Sequence, residues 1–215
     1  MKKHILYSFR RCPYAIRARW ALYNCDIDIE IREVDLKKKP KDILNKSKSQ
    51  TVPLLILDNG KVIDQSLNII LWALSIKKVF NLEKYYSENS RNQIKKLINK
   101  NDEIFKYHLD KFKYSSRYIP SEREYHFLEC RKIIINWNNL LTKSKDNNYW
   151  LMGKETVADW CLFPFVRQYK IACDQQKVSD YSLEPLNTWL DHFENHPIFK
   201  NIMIKYPIWS DNNYS

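Results

Sequence analysis

The chain has 215 residues, with 36 Lys and Arg against 25 Asp and Glu, so its formal net charge is +11 and its pI is about 9.3. An apolar content of 44% excludes an intrinsically disordered chain, and the length fits one large domain or two small ones. The only two glycines, Gly60 and Gly153, are far apart. The Gly-rich phosphate loops of ATP-, GTP- and Rossmann-type NAD-binding proteins are therefore excluded.

The positive charge alone does not predict a nucleic-acid partner. The densest basic runs are short, at residues 37–39 and 95–96, and the other basic residues are scattered. This distribution favours solvated helix surfaces, so no nucleic-acid partner is expected. No run approaches the ~20 apolar residues of a membrane helix, and the apolar run after residues 1–3 ends at Arg10, which argues against a signal peptide.

The five cysteines form no CxxC pair, which predicts free thiols in a reducing cytoplasm. Cys130 and Cys161 lie in apolar helical patterns and are expected in the core. His192 and His196 are four residues apart, but Pro197 follows and no third ligand is evident. No metal site is therefore expected.

The first third of the chain alternates between strand and helix patterns. In chain order we predict a strand at 4–9, a helix at 13–23, a strand at 27–31, a short helix after Pro40, strands at 52–57 and 61–63, and a helix at 66–76. Asp58-Asn59-Gly60 is typical of a tight turn between the last two strands. The pattern predicts the order β-α-β-α-β-β-α.

The remainder of the chain has helical patterns only. An apolar stripe runs from residue 94 to 109 and is interrupted at Asn101. Capping boxes at Ser121/Glu124 and Thr156/Asp159 predict two helix starts, and further helices are expected around residues 186–193 and 198–204. We therefore expect an α/β domain over residues 1–77 and an all-α domain over residues 88–215.

Cys12 follows the first strand and precedes Pro13, which suits the first position of a helix. Its sulfur would then lie at a helix N-terminus, where the helix dipole, free backbone N–H groups and the nearby Arg10 and Arg11 favour a thiolate. The alternative is a small apolar residue at the start of a helix. Because Ala15 stands where a second cysteine would complete a CxxC motif, any disulfide chemistry needs an external thiol.

Five blocks in the expected order carry a family resemblance: Cys12–Arg19 (CPYAIRAR), Lys39-Pro40, Thr51–Pro53, Gln65-Ser66 and Thr156–Asp159. Together they resemble the glutathione S-transferase superfamily, most closely its omega-like and bacterial cysteine-containing branch. The resemblance implies a thioredoxin-like glutathione-binding domain followed by a helical domain that contributes the second-substrate pocket. It also implies a homodimer.

The resemblance assigns part of a glutathione site. It implies a cis bond before Pro53, which leaves the Val52 backbone free to pair with the cysteinyl part of glutathione. Lys39 is placed to meet the glycyl carboxylate, and Ser66, at a helix start, to meet the γ-glutamyl carboxylate. Read without the resemblance, Pro53 is a permitted edge proline and Lys39 is a solvated lysine.

Gln65 departs from the glutamate that many relatives have. The amide keeps an acceptor oxygen but loses the charge that pairs with the γ-glutamyl ammonium, at a cost of about 1 kcal/mol unless Asp64 or another acid substitutes. Tyr14 would flank the Cys12 sulfur, although a tyrosine packed on its helix is equally ordinary.

Three functions are consistent with these residues. The first is a glutathione-dependent thiol transferase or reductase, which uses Cys12 and acts on a small disulfide substrate. The second is conjugation of glutathione to an electrophile, with the hydroxyl of Tyr7 or Ser8 holding the glutathione thiolate. The third is a protein-binding module without turnover, against which the presence of Cys12, Lys39 and Ser66 counts.

Overall fold

The computed structural model describes residues 3–76, 82–143, 149–178 and 183–210. The chain divides into two compact units: Met1–Leu82 with His196–Ser215, and Glu83–Asn195. This differs from the predicted helical domain running to residue 215. The reason is a pairing at the sheet edge, because Ile208 bridges to Glu33 in parallel and the Trp209 N–H donates to the Glu33 carbonyl at 2.8 Å.

The first unit holds a four-stranded sheet in the order β2-β1-β3-β4. β1 is parallel to β2 and antiparallel to β3, and β3 is antiparallel to β4. The elements are β1 (His4–Ser8), α1 (Pro13–Asn24), β2 (Ile29–Glu33), α2 (Lys41–Lys46), β3 (Leu54–Ile56), β4 (Val62–Asp64) and α3 (Ser66–Ile76). The predicted order is confirmed.

Alternation along β1 separates two environments. Ser8 faces α1, where its hydroxyl accepts a hydrogen bond from Arg19. Tyr7 points to the opposite face, into an apolar cluster that includes Ile43 of α2. The indole ring of Trp209 lies edge-on to Tyr7 at 5.5 Å on this face, so the C-terminal segment completes the core of the first unit.

The helices of the second unit and the C-terminal segment are α4 (Leu82–Tyr85), α5 (Glu88–Asn99), α6 (Lys106–Lys113), α7 (Arg123–Leu141), α8 (Val157–Gln176), α9 (Glu184–Asn195) and α10 (Pro197–Ile202). A π-helical segment, Lys100–Phe105, joins α5 to α6 at the predicted interruption. Its wider turn keeps both Ile98 and Phe105 buried, together with Asn101 itself. Of the described helices, none is long and apolar enough to cross a bilayer.

The two predicted capping boxes have different outcomes. Thr156 and Asp159 form the predicted box at the start of α8. The box at Ser121 and Glu124 is wrong, because Pro120 starts a short 3₁₀ turn that contains Ser121, and α7 begins only after it without a side-chain cap.

Candidate functional site

Strand pairing brings Cys12 and the Val52–Pro53 peptide to the same end of the sheet. β1 runs towards Cys12, and its Tyr7 lies opposite Leu54, the first residue of β3. The Val52–Pro53 peptide immediately before Leu54 is cis, which confirms the conformation implied by the resemblance. Cys12 packs against the same apolar cluster that contains Val52. The thiol and the cis peptide thus share one environment.

The next strand adds Gln65 and Ser66 to this end of the sheet. Leu54 pairs with Asp64, the last residue of β4, and α3 begins two residues later with the buried Ser66. Gln65 has a φ of 71°, and its carbonyl accepts the Ile69 N–H at 3.2 Å. A left-handed conformation is uncommon for a residue other than glycine. It directs the chain sharply into α3, so that Ser66 lies at the N-terminus of that helix.

The Asp64 carboxylate places a negative charge beside Gln65. It accepts hydrogen bonds from the Ser47 hydroxyl at 2.8 Å, from the Ser49 hydroxyl at 3.2 Å and from the Gln65 N–H at 2.8 Å. Asp64 and Gln65 line an open pocket together with the cationic Lys48. Charges of both signs therefore stand at this edge, as a ligand with carboxylate and ammonium groups requires.

Lys39 and Tyr14 are each held by a neighbour. The Lys39 ammonium donates to the Gln50 carbonyl at 2.9 Å, two residues before Val52, so it is anchored near the cis peptide. Tyr14 is half-buried on α1, and the Arg17 guanidinium lies 5.0 Å from its ring centroid. Lys39 thus approaches the segment that leads to the cis peptide, whereas one face of the Tyr14 ring is covered by Arg17.

Cys12 is the N-cap residue of α1, with φ −73° and ψ 122°, and its side chain makes no capping hydrogen bond. Pro13 occupies the first turn, and the Cys12 N–H donates to the Phe9 carbonyl at 3.0 Å. The thiol is half-buried and is not part of a disulfide. A half-buried sulfur at a helix N-terminus has the electrostatic setting that favours a thiolate.

The two hydroxyl groups that could replace Cys12 are already engaged. The Tyr7 hydroxyl donates to Asp42 at 2.8 Å and accepts from Arg32 at 2.9 Å. Burial, with the hydrogen bond to Asp42, raises the pKa of Tyr7 well above its usual value. The Ser8 hydroxyl accepts from Arg19. Both hydroxyls therefore serve the interior of the first unit.

Sequence reasoning gave Arg19 no role, although its side chain is only 1% exposed and contacts the loop that carries Cys12. The available signal was an arginine among the apolar residues of α1, next to Trp20. His192 and His196 have structural contacts: the His196 ring caps α10 and the His192 ring lies edge-on to Trp150. Among the described residues, no group of three or more His, Cys, Asp or Glu could hold a metal ion.

A thioredoxin-like domain followed by a helical unit is the architecture of the glutathione transferases, and solved structures share it over 94–96% of this chain. The omega 3C glutathione transferase of Trametes versicolor has a TM-score of 0.78 and 16% identity, covering 96% of this chain and 91% of that one. The tau-class MiGSTU of mango has a TM-score of 0.81 and 19% identity, covering 95% of this chain and 94% of that one. A glutathione transferase family member from Pseudomonas fluorescens was solved with two glutathione bound. It has a TM-score of 0.78 and 15% identity, covering 94% of this chain and 92% of that one.

The family model for the glutathione S-transferase N-terminal domain matches residues 6–78. No curated protein matches the chain. Residues 6–78 therefore match a glutathione S-transferase N-terminal domain, and the solved structures share the fold of the chain.

Proposed function

We propose that the protein is a glutathione-dependent thiol transferase or reductase whose nucleophile is Cys12. The observation that carries the proposal is the placement of the Cys12 sulfur at the N-terminus of α1, in the same apolar cluster as Val52 of the cis Val52–Pro53 peptide. Oriented N–H groups and the helix dipole favour the thiolate, which is the reactive form.

The proposed reaction is a pair of thiol–disulfide exchanges. The Cys12 thiolate attacks the glutathionyl sulfur of a glutathionylated substrate; the Cys12–glutathione disulfide forms, the substrate disulfide breaks, and the leaving thiolate takes a proton. A second glutathione thiolate then attacks the Cys12–glutathione disulfide. This step releases oxidised glutathione and restores the Cys12 thiolate, so no second protein cysteine is needed.

Glutathione would bind along the end of the sheet already described. The Val52 backbone would pair with the cysteinyl part, as an added strand does, while Lys39 meets the glycyl carboxylate. The start of α3 would bind the γ-glutamyl carboxylate, with Asp64 supplying the charge that Gln65 lacks. The proposed glutathione-binding residues are Tyr14, Lys39, Val52, Pro53, Gln65 and Ser66. The similar structure from Pseudomonas fluorescens, solved with two glutathione bound, supports glutathione as the ligand.

The engaged hydroxyls of Tyr7 and Ser8 weigh against hydroxyl-based conjugation as the main activity. Five cysteines outside disulfides suit a reducing compartment such as the cytoplasm, where glutathione would be available. We also propose that the protein is a homodimer, which light scattering coupled to size-exclusion chromatography would test by its mass.

The first test is intact mass with peptide mapping, after the reduced protein meets a small excess of oxidised glutathione at neutral pH. We expect one glutathionyl adduct, confined to Cys12 and removed by free glutathione. The Cys12→Ser variant, treated in parallel, should give no adduct. Absence of an adduct at Cys12, or equal labelling of several cysteines, would contradict the proposal and direct attention to conjugation or binding without turnover.

A further inference from the structure

We propose that Arg19 is a positioning residue for Cys12: its buried guanidinium holds the loop between β1 and α1 and supplies a positive charge to the thiolate. The inference rests on the proposed function only in taking Cys12 as the nucleophile. The motif block contains Arg19, but the block itself assigns it no task.

The guanidinium joins two points of the loop that leads to Cys12. One terminal nitrogen, Nη1, donates to the Ser8 hydroxyl at the end of β1, and Nη2 donates to the Arg10 carbonyl at 2.6 Å. The Arg10 N–H in turn donates to the Glu33 carboxylate at 2.8 Å, so the peptide groups of Arg10 are held from both sides. A planar guanidinium can bind two separate acceptors at once, whereas a lysine ammonium has no such fixed fork.

The charge of Arg19 is enclosed with few compensating contacts. The side chain is 1% exposed, and its Nε has no hydrogen-bond partner among the described residues. Burial lowers the pKa of Arg19 to about 10, and the negative charges of Glu33 and of a Cys12 thiolate act in the opposite direction. The interaction of two charges is mutual, so an arginine that a thiolate stabilises must stabilise that thiolate equally.

Two other groups of charges act on the same loop. Glu33 opposes a thiolate, while the side chains of Arg10 and Arg11 favour one from the surface. Tyr23 of α1 also acts on Arg19, although it is uncharged near neutral pH. Arg11 is exposed, so its field is screened by water and salt. The buried position of Arg19 gives its charge the larger effect per unit distance.

The test is the pH dependence of alkylation at Cys12, measured with iodoacetamide and peptide-mapped mass. In Arg19→Met we expect the midpoint pH of the profile to rise by about one unit or more, because a nearby opposite charge shifts a titration by that amount. Arg11→Met removes the same charge from the surface beside Cys12 and is the matched control. Its midpoint should move by a few tenths of a unit at low salt and less at high salt.

Arg19→Lys separates charge from geometry. The ammonium keeps the charge, so the midpoint should stay near that of the unchanged protein, while the lost fork should slow exchange with oxidised glutathione several-fold. A folded Arg19→Met protein with an unchanged midpoint, or a shift no larger than that of Arg11→Met, would overturn the proposal.

If substitutions at Arg19 prevent folding, the unchanged protein can still overturn the proposal. A buried charge predicts a midpoint nearly constant from 0.1 M to 1 M salt, although the Debye length falls from about 10 Å to about 3 Å. A midpoint that rises with salt towards the ~8.5 of a free thiol would assign the effect to the surface arginines and overturn the role of Arg19.

The outcomes also separate this inference from the proposed function. A low, salt-insensitive midpoint without an adduct from oxidised glutathione would contradict the thiol-transferase proposal and leave Arg19 supported. An adduct at Cys12 with an ordinary thiol midpoint would contradict the role of Arg19 and leave the thiol-transferase proposal supported.

Discussion

The N-termini of α8 and α1 present the same helix dipole and backbone N–H groups, but the N-cap side chains of the two helices differ in how they meet those groups. At α8 the Thr156 hydroxyl accepts the Ala158 N–H, and the buried Asp159 carboxylate accepts N–H groups from Leu151, Thr156 and the Trp189 indole. The N-cap of α1 is Cys12, whose side chain caps nothing. The N-terminus of α8 is capped by its own side chains, whereas the N-terminus of α1 carries a thiol that makes no capping hydrogen bond.

Under the proposed function, this contrast assigns the helix start of α8 to stability and that of α1 to reactivity. A good N-cap contributes about 1 kcal/mol, and α1 forgoes that contribution. Pro13 reduces the cost because it has no N–H to satisfy, and buried residues such as Trp20 hold the helix in place by packing. We therefore expect substitutions at the capped N-terminus of α8 to change the free energy of unfolding, and substitutions at the uncapped N-terminus of α1 to change the reactivity of Cys12.

The substitution Cys12→Ser should break the contrast most completely. Serine is a strong N-cap residue but a poor nucleophile, so exchange should fall at least a thousand-fold, about 4 kcal/mol in barrier. The free energy of unfolding should remain equal or rise by up to about 1 kcal/mol. Glutathione-dependent reduction of a mixed disulfide and urea unfolding measure the two quantities. Cys173→Ala, a buried cysteine of α8, is the control, and turnover surviving in Cys12→Ser would refute the role of Cys12.

Asp159→Ala should show the opposite pattern. It leaves the N–H groups of Leu151, Thr156 and the Trp189 indole without their buried acceptor, so the free energy of unfolding should fall by about 3 kcal/mol. Denaturant unfolding measures the loss. The midpoint of alkylation at Cys12 in the folded protein should not change. Thr156→Ala, which removes the cap on the Ala158 N–H and one hydrogen bond to Asp159, should cost about 1 kcal/mol. A loss at Asp159 no greater than this would contradict the larger role of its buried carboxylate.

The titration of Asp159 makes the stability contributed by the N-terminus of α8 depend on pH. Burial raises the pKa of Asp159 to about 6, although the hydrogen bonds to its carboxylate lower it. The folded protein thus holds this proton more tightly than the unfolded chain, whose carboxyl titrates near pH 4. The stability from this group is full below pH 4 and is lost as the pH rises through 6. Urea unfolding from pH 4 to 7 should show this fall in the unchanged protein and not in Asp159→Asn. Parallel curves would refute it.

The smallest expected effect lies at the third helix start, α3. Ser66→Ala removes one hydroxyl from the proposed γ-glutamyl site, so glutathione affinity should fall about five-fold, near 1 kcal/mol. Titration calorimetry measures it. Ser75→Ala, near the other end of α3 where the hydroxyl bonds to the Trp72 carbonyl, should leave affinity unchanged. Equal affinities of the two variants would place the carboxylate elsewhere.

The sequence by itself determined the features that depend on neighbours a few residues away. The bounds of α3, the start of α1 at Pro13 and the Thr156–Asp159 box follow from periodicity, ring geometry and side chains three residues apart. The same local logic fails at Ser121, where Pro120 begins a different turn. The prediction of a cis bond before Pro53 depended on the family resemblance, because the local sequence pattern equally allows an edge proline.

Only the tertiary structure decided which distant groups meet. It brings the Arg19 guanidinium to Ser8, commits the Tyr7 hydroxyl to Asp42, and joins Trp209 to the edge of β2, so that the C-terminal segment belongs to the first unit. Periodicity shows that a face is buried but not which element covers it. The partner of a buried charge is likewise set by strand order and helix packing. A desolvated polar group needs a hydrogen-bond partner, and the fold determines which groups lie close enough to supply one.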